Sequence, residues 1–124
     1  MPGSLAVYMS SGFEFCPSIL WCRMPLTLSQ FQSRIQEVFG AKDRRRGVEG
    51  TFMWFMEEVG ELATALRSGG LSERSEEFAD VLAWLATLAN TVGVDLEASV
   101  EAKYSSGCPA CRQSPCVCTS TEKP

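Results

Sequence analysis

The chain has 124 residues and a formal net charge of -4, with 45% hydrophobic and 21% charged residues, which suits one small soluble domain; no apolar run approaches the length of a bilayer span. The acidic balance excludes a nucleic acid polymer as partner, because such affinity comes largely from Lys and Arg set against phosphates, but it leaves room for a single nucleotide carried by metal ions. Histidine is absent, so carboxylates must carry any acid-base or metal chemistry.

Residues 1–23 scatter Gly, Ser and Pro among Phe13, Phe15 and Trp21, with no basic start and no long apolar run, so they do not read as a signal peptide. Two readings stand for this segment: a start placed upstream of the true one at Met24, or an arm packed on the following domain. That domain, residues 24–104, reads as a bundle of four helices. The first opens with Thr27 as N-cap and Gln30 three residues on, and places Leu28, Phe31, Ile35, Val38 and Phe39 on a core-facing side until Gly40. Ala41 to Gly50 reads as a charged loop; one of Lys42, Arg44, Arg45 and Arg46 reaching a phosphate is the sharper alternative to a solvated turn.

The second helix covers Thr51 to Arg67 with Phe52, Phe55, Met56, Val59, Leu62, Ala63 and Leu66 on one stripe, and Gly69-Gly70 ends it. The third starts near Ser72 or Ser75 and carries Phe78, Val81, Leu82, Leu85, Leu88, Ala89 and Val92, at the same internal spacing, before Gly93. A short fourth helix runs from Asp95 as N-cap through Leu96 and Val100 to Tyr104. A core of this size leaves room for support from a metal or a second subunit.

Residues 105–118 form a cysteine-rich knuckle, and the polar end, residues 119–124, reads as disordered. Cys108, Cys111, Cys116 and Cys118 follow the pattern C-x2-C-x4-C-x-C, close enough to surround one structural Zn²⁺, with Pro109 and Pro115 stiffening the turns. A disulfide pair and an iron-sulfur centre are the competing readings. Cys16 and Cys22 read as ordinary thiols. So many free or metal-bound thiols point to a reducing cytoplasm.

The second helix bears Glu57, Glu58 and Glu61, and the third bears Glu77 and Asp80. Carboxylates three apart on a helix are neighbours, so Glu58 with Glu61 and Glu77 with Asp80 each form a two-oxygen claw. With Phe52 and Phe78 as zero, Glu58 and Glu61 fall at about 240° and 180°, and Glu77 and Asp80 at about 260° and 200°. Both claws therefore flank equivalent stripes, as do Trp54 and Trp84. A short connection makes the two helices antiparallel neighbours and brings the four acids together. Four converging anions raise one another's pKa unless a cation is present, and an all-oxygen set selects a hard ion such as Mg²⁺. The competing reading is a solvated acidic surface.

The segments WFMEEVGELATAL (Trp54 to Leu66), EEFADVLAWLATLA (Glu76 to Ala89) and VDLEASVEAKY (Val94 to Tyr104) together resemble the MazG-type all-α nucleoside triphosphate pyrophosphohydrolases, over about Leu26 to Tyr104. The resemblance implies an all-α, MazG-like helical bundle assembled as a homodimer or homotetramer. It implies Mg²⁺-dependent cleavage of an NTP or dNTP between the α- and β-phosphates, giving the monophosphate and pyrophosphate. Carried over by position, Glu58, Glu61, Glu77 and Asp80 are metal ligands, and Glu57 is a supporting acid that orients water or binds a second ion. Glu57, Glu58 and Glu61 thus form the catalytic set. Lys103 matches a position near the phosphates, and Trp54 and Trp84 complete the substrate side. The chain departs from many relatives after Lys103, where it runs into Ser105-Ser106-Gly107-Cys108 instead of an asparagine and further basic residues. The alternative from another class is a non-catalytic helical adaptor, or a nucleotide-sensing regulator, with a zinc knuckle.

Overall fold

The structure is a computed structural model and describes residues 25–121. The readings of residues 1–23, Cys16 and Cys22 included, lie outside the described residues, as do residues 122–124 of the tail. The described residues form three helices: α1 (Leu28–Ser68), α2 (Leu71–Val92) and α3 (Leu96–Tyr104). Among the described residues there is no strand, and that part of the chain is all-α as expected.

Helix α1 begins where its capping box places it. Thr27 Oγ1 accepts the Gln30 N–H at 3.1 Å and Gln30 Oε1 accepts the Thr27 N–H at 2.9 Å, satisfying donors that the helix start leaves free. Glu97 of α3 accepts the Ser29 N–H at 2.8 Å and fastens α3 to the same end.

The expected loop at residues 41–50 is a correction: it is helical, and it fuses the first two of the four anticipated helices into α1. The stretch from Ala41 to Arg46 is built mostly of good helix formers, and Arg46 Nη1 pairs with Asp43 Oδ1 one turn back at 2.8 Å. The interruption is confined to Gly47, at φ 77° and ψ 178°, a conformation that essentially only glycine adopts. Thr51, fully buried, donates its hydroxyl to the Gly47 carbonyl at 2.7 Å and bridges the kink.

Gly69 and Gly70 then reverse the chain. The Gly69 N–H bonds to the Ala65 carbonyl at 2.8 Å, Glu73 accepts the Gly70 N–H at 2.7 Å, and Arg74 Nε reaches the Ala65 carbonyl at 3.3 Å. Helix α2 runs back along α1 until Gly93, left-handed at φ 72°. Gln32 clamps that far end: its Nε2 donates to Asn90 Oδ1 at 3.0 Å and to the Val94 carbonyl at 2.7 Å, and its Oε1 accepts the Leu96 N–H at 2.9 Å. Asp95 caps α3 by accepting the Ala98 N–H at 2.9 Å.

The contact between α1 and α2 is made of small and polar groups. Thr51 and Ala65 of α1 and Ala86, Thr87 and Ala89 of α2 are buried, and Glu58, midway between Thr51 and Ala65, is half-buried on the same side. The apolar stripes expected to form the core lie largely open instead. Phe52 is 49% exposed, Leu66 51%, Phe78 56%, and Leu82 and Leu85 40% each. Of the apolar side chains in the first part of α1 only Ile35 is buried, while Val38 and Phe39 are exposed. Each helix turns its acid-bearing flank toward the other, so the adjacent stripe rotates out of the pair and the described residues leave it uncovered. Among the described residues no single helix is long and apolar enough to cross a membrane.

Candidate active site

Because the acid flanks face each other, carboxylates from both helices meet. One oxygen from each of Glu58, Glu77 and Asp80 lies within 4.8 Å of the others. Glu58 is held in place by Trp84, whose indole N–H donates to Oε1 at 3.0 Å. Glu77 Oε2 is sealed from solvent and has no hydrogen-bond partner among the described residues. Glu61, the fourth acid of the anticipated set, is exposed and stands outside this close group, yet its charge bears on both Glu58 and Glu77. Glu57 is also exposed; with Glu61, Glu73 and Glu77 it lines a groove of about 410 Å³ beside the group.

The electrostatics follow from this crowding. Burial pushes the Glu58 carboxyl above its ordinary range, the Trp84 hydrogen bond pulls it part of the way back, and the charges of Asp80, Glu61 and Glu57 add to the rise. Glu77 is raised as well, first by burial and then by Glu61, Asp80, Glu58 and Glu76. Among the described residues no Lys or Arg ion-pairs with these acids. A converging set of anionic oxygens, one of them sealed and without a partner, fits a hard divalent cation: oxygen-only donors suit Mg²⁺ and leave positions for phosphate oxygens.

On one side of the acids lies an aromatic stack. Trp84 and Trp54 stack with centroids 5.9 Å apart and planes at 12°, and the Arg46 guanidinium sits 4.8 Å from the Trp84 ring centroid. A cavity of about 280 Å³ opens here, walled by Ile35, Phe39, Lys42, Asp43, Arg46, Asp80, Ala83, Trp84 and Thr87. Asp80 and Trp84 therefore border both the acid group and the cavity. Asp43 is 5% exposed; one oxygen pairs with Arg46 and the other, Oδ2, has no partner among the described residues.

Sequence reasoning missed Asp43 and left Arg46 undistinguished among four basic residues. The available signal was phase. Ile35, Phe39, Lys42, Asp43 and Arg46 continue one face at helical spacing, which is visible once the segment is read as helix. Lys103 sits elsewhere in the described contacts, on α3, with its Nζ 5.5 Å from the ring of its neighbour Tyr104.

The four tail cysteines converge as well, each offering a sulfur within 4.8 Å of the others. Amides of Val117 and Gln113 pull the Cys111 thiol down to about 6, and the neighbouring thiols, Cys116 first, push Cys118 up to about 12.

Residues 46–111 match the family model of the MazG nucleotide pyrophosphohydrolase domain. That match takes in the acids of both helices, the stacked tryptophans, Arg46, α3 and the first two tail cysteines. Comparison with curated proteins gives no match.

Proposed function

The chain belongs to the MazG nucleotide pyrophosphohydrolase family, and from that premise we propose that it hydrolyses an NTP or dNTP, with Mg²⁺, to the nucleoside monophosphate and pyrophosphate. The observation that carries the reading is the sealed, partnerless oxygen of Glu77 beside Glu58 and Asp80, which calls for a cation. Glu58, Glu77 and Asp80 would hold the ion, with Glu61 beside them. Bound there, Mg²⁺ supplies neutralisation of the phosphate oxygens and alignment of the phosphate chain for in-line attack.

The protein's own groups divide the remaining work. Trp84 fixes the Glu58 carboxylate by its indole N–H and shares a stacked wall with Trp54. Asp80 links the acid group to the cavity, so a nucleotide with its phosphates at the acids reaches the cavity with its nucleoside. There Trp84 and Arg46 offer a face for stacking, and Asp43 Oδ2 offers an acceptor to an N–H of the base. Glu57, exposed on the groove, would orient water and accept its proton, an ordinary task for a carboxylate. No covalent intermediate on the protein is required.

Assembly completes the proposal. Phe52, Leu66, Phe78, Leu82 and Leu85 stand open among the described residues, and a second copy presenting the same stripes would cover them in a homodimer or homotetramer.

The test is a panel of canonical and modified nucleoside triphosphates incubated with pure protein and Mg²⁺, scored for monophosphate and pyrophosphate. Turnover of at least one member, abolished in Glu58→Gln and Glu77→Gln, is expected. Failure on every member, or unchanged turnover in both variants, sinks the reading. Mass measurement in solution checks the assembly, and a monomer at micromolar concentration overturns that part alone.

A further inference from the structure

We propose that Cys108, Cys111, Cys116 and Cys118 hold one tetrahedral Zn²⁺, and that this ion is what folds residues 105–118. The sulfur spacing carries the first half. Cys116 Sγ is 3.4 Å from Cys108 Sγ and 3.8 Å from Cys111 Sγ, and Cys108 Sγ is 3.9 Å from Cys118 Sγ. Four thiolates about 2.3 Å from a central zinc stand about 3.8 Å from one another, so the observed set matches the edges of a zinc tetrahedron. A polynuclear iron-sulfur cluster spreads its thiolates around several irons and needs a wider cage.

The backbone is arranged for thiolates. The Cys118 N–H points at Cys116 Sγ at 3.4 Å, amides of Cys111 and Ala110 serve Cys108, and those of Val117 and Gln113 serve Cys111. Such donors offset the negative charge that four thiolates bring to one divalent ion. The turn that aims them is tight. Cys108 N–H bonds to the Gln113 carbonyl at 3.1 Å and the Arg112 N–H to the Cys108 carbonyl at 2.7 Å. Gly107 has φ +93°, and a Cβ there would come within 2.9 Å of the Gln113 oxygen.

The second half rests on what the segment lacks. Between Ser105 and Cys118 no residue is buried, Val117 is 60% exposed, and no helix or strand supplies a hydrogen-bond ladder. Chain entropy alone would scatter such a stretch, and a short apolar contact cannot oppose it. A metal cross-link between four side chains does so without a core. The helices have their own contacts, so the ion staples the end of α3 and not the helical hairpin. This inference is independent of the proposed hydrolysis.

The experiment uses the full chain, expressed with zinc and purified under reductant. Metal analysis is expected to give one zinc per chain, released by a thiol-modifying mercurial. Reduced, metal-free protein titrated with Co²⁺ is expected to develop the thiolate-to-cobalt charge-transfer band at one equivalent. Cys111→Ser should lose both signals, while the double variant Cys16→Ser with Cys22→Ser keeps them, as does Glu77→Gln. Limited proteolysis after zinc removal should cut within residues 105–118 and leave helical circular dichroism unchanged. Four free thiols that take up no metal, disulfides seen as lost hydrogen mass, or iron in place of zinc would each overturn the assignment. Collapse of helicity on zinc removal would overturn the claim that the ion folds the tail alone.

Discussion

The indole N–H of Trp84 donates to Oε1 of Glu58 at 3.0 Å across the two long helices, so the residue that walls the cavity also aims a carboxylate of the acid group. Trp84→Phe separates the two tasks, since it keeps a ring beside Trp54 and deletes only the donor. A hydrogen bond to a charged group contributes about 1.5 to 3 kcal/mol, so Mg²⁺ affinity or kcat/KM should fall by about tenfold or more. Thermal stability without metal should fall as well, because the bond is already made in the metal-free chain. Calorimetric Mg²⁺ titration beside steady-state kinetics checks this, and unaltered metal affinity with unaltered kinetics would show the bond to be incidental.

Protons and metal compete for the same oxygens. The Glu58 and Glu77 carboxyls are both raised above the ordinary value of 4.5, mainly by burial, so the folded metal-free chain holds protons that the unfolded chain has released. Their contribution to stability is complete below the unfolded value and disappears as pH rises through the raised folded values. Metal-free protein should therefore melt higher as pH is lowered towards the ordinary carboxylate value, while the extra stability given by Mg²⁺ shrinks in the same direction. The double variant Glu58→Gln with Glu77→Gln should flatten both trends. Melting curves with and without Mg²⁺ decide it, and wild-type slopes in the double variant would refute the assignment to these two acids.

The meeting of Glu58, Glu77 and Asp80 was legible in the sequence because helical phase is set by backbone geometry. Acids at matching positions on two antiparallel neighbours have to face the same gap. The caps were legible too, since Thr27 with Gln30, and Asp95, each satisfy a local need for hydrogen bonds. Residues 41–50 were not, because glycines around a basic run fit a loop as well as a helix, and the decision came from tertiary burial of Asp43 and Thr51. Periodicity also marked the Phe52 and Phe78 stripes as apolar, but it says nothing of what covers them. The pair of helices meets on the acid flank instead, where small residues let the backbones approach.

Gly47 is where that helix turns, and its substitution is informative because Arg46 and Thr51 depend on the kink. At φ 77° and ψ 178° a side chain is strained whatever space surrounds it, and Gly47→Ala should cost about 1 to 3 kcal/mol. Chemical denaturation measures the loss. Gly60, which is helical and open at its Cβ position, serves as control: Gly60→Ala should be neutral or slightly stabilising. Equal effects at the two sites would contradict a special conformation at Gly47.

Asp43 offers a sharper test of the cavity than any apolar wall residue. Its Oδ2 is buried without a partner, an arrangement that costs stability unless something bound there donates to it. Asp43→Asn keeps the volume and an oxygen for Arg46 but can turn a donor into the cavity. If a base N–H meets Oδ2, the variant should raise KM for the preferred nucleotide about tenfold with kcat little changed, because a mismatched donor opposes binding without touching the acids. Stability of the nucleotide-free protein should fall modestly, since Arg46 keeps a hydrogen-bond acceptor but loses its charged partner. Unchanged KM across the whole nucleotide panel would mean that the base lies elsewhere and that Asp43 serves only to hold Arg46 over Trp84.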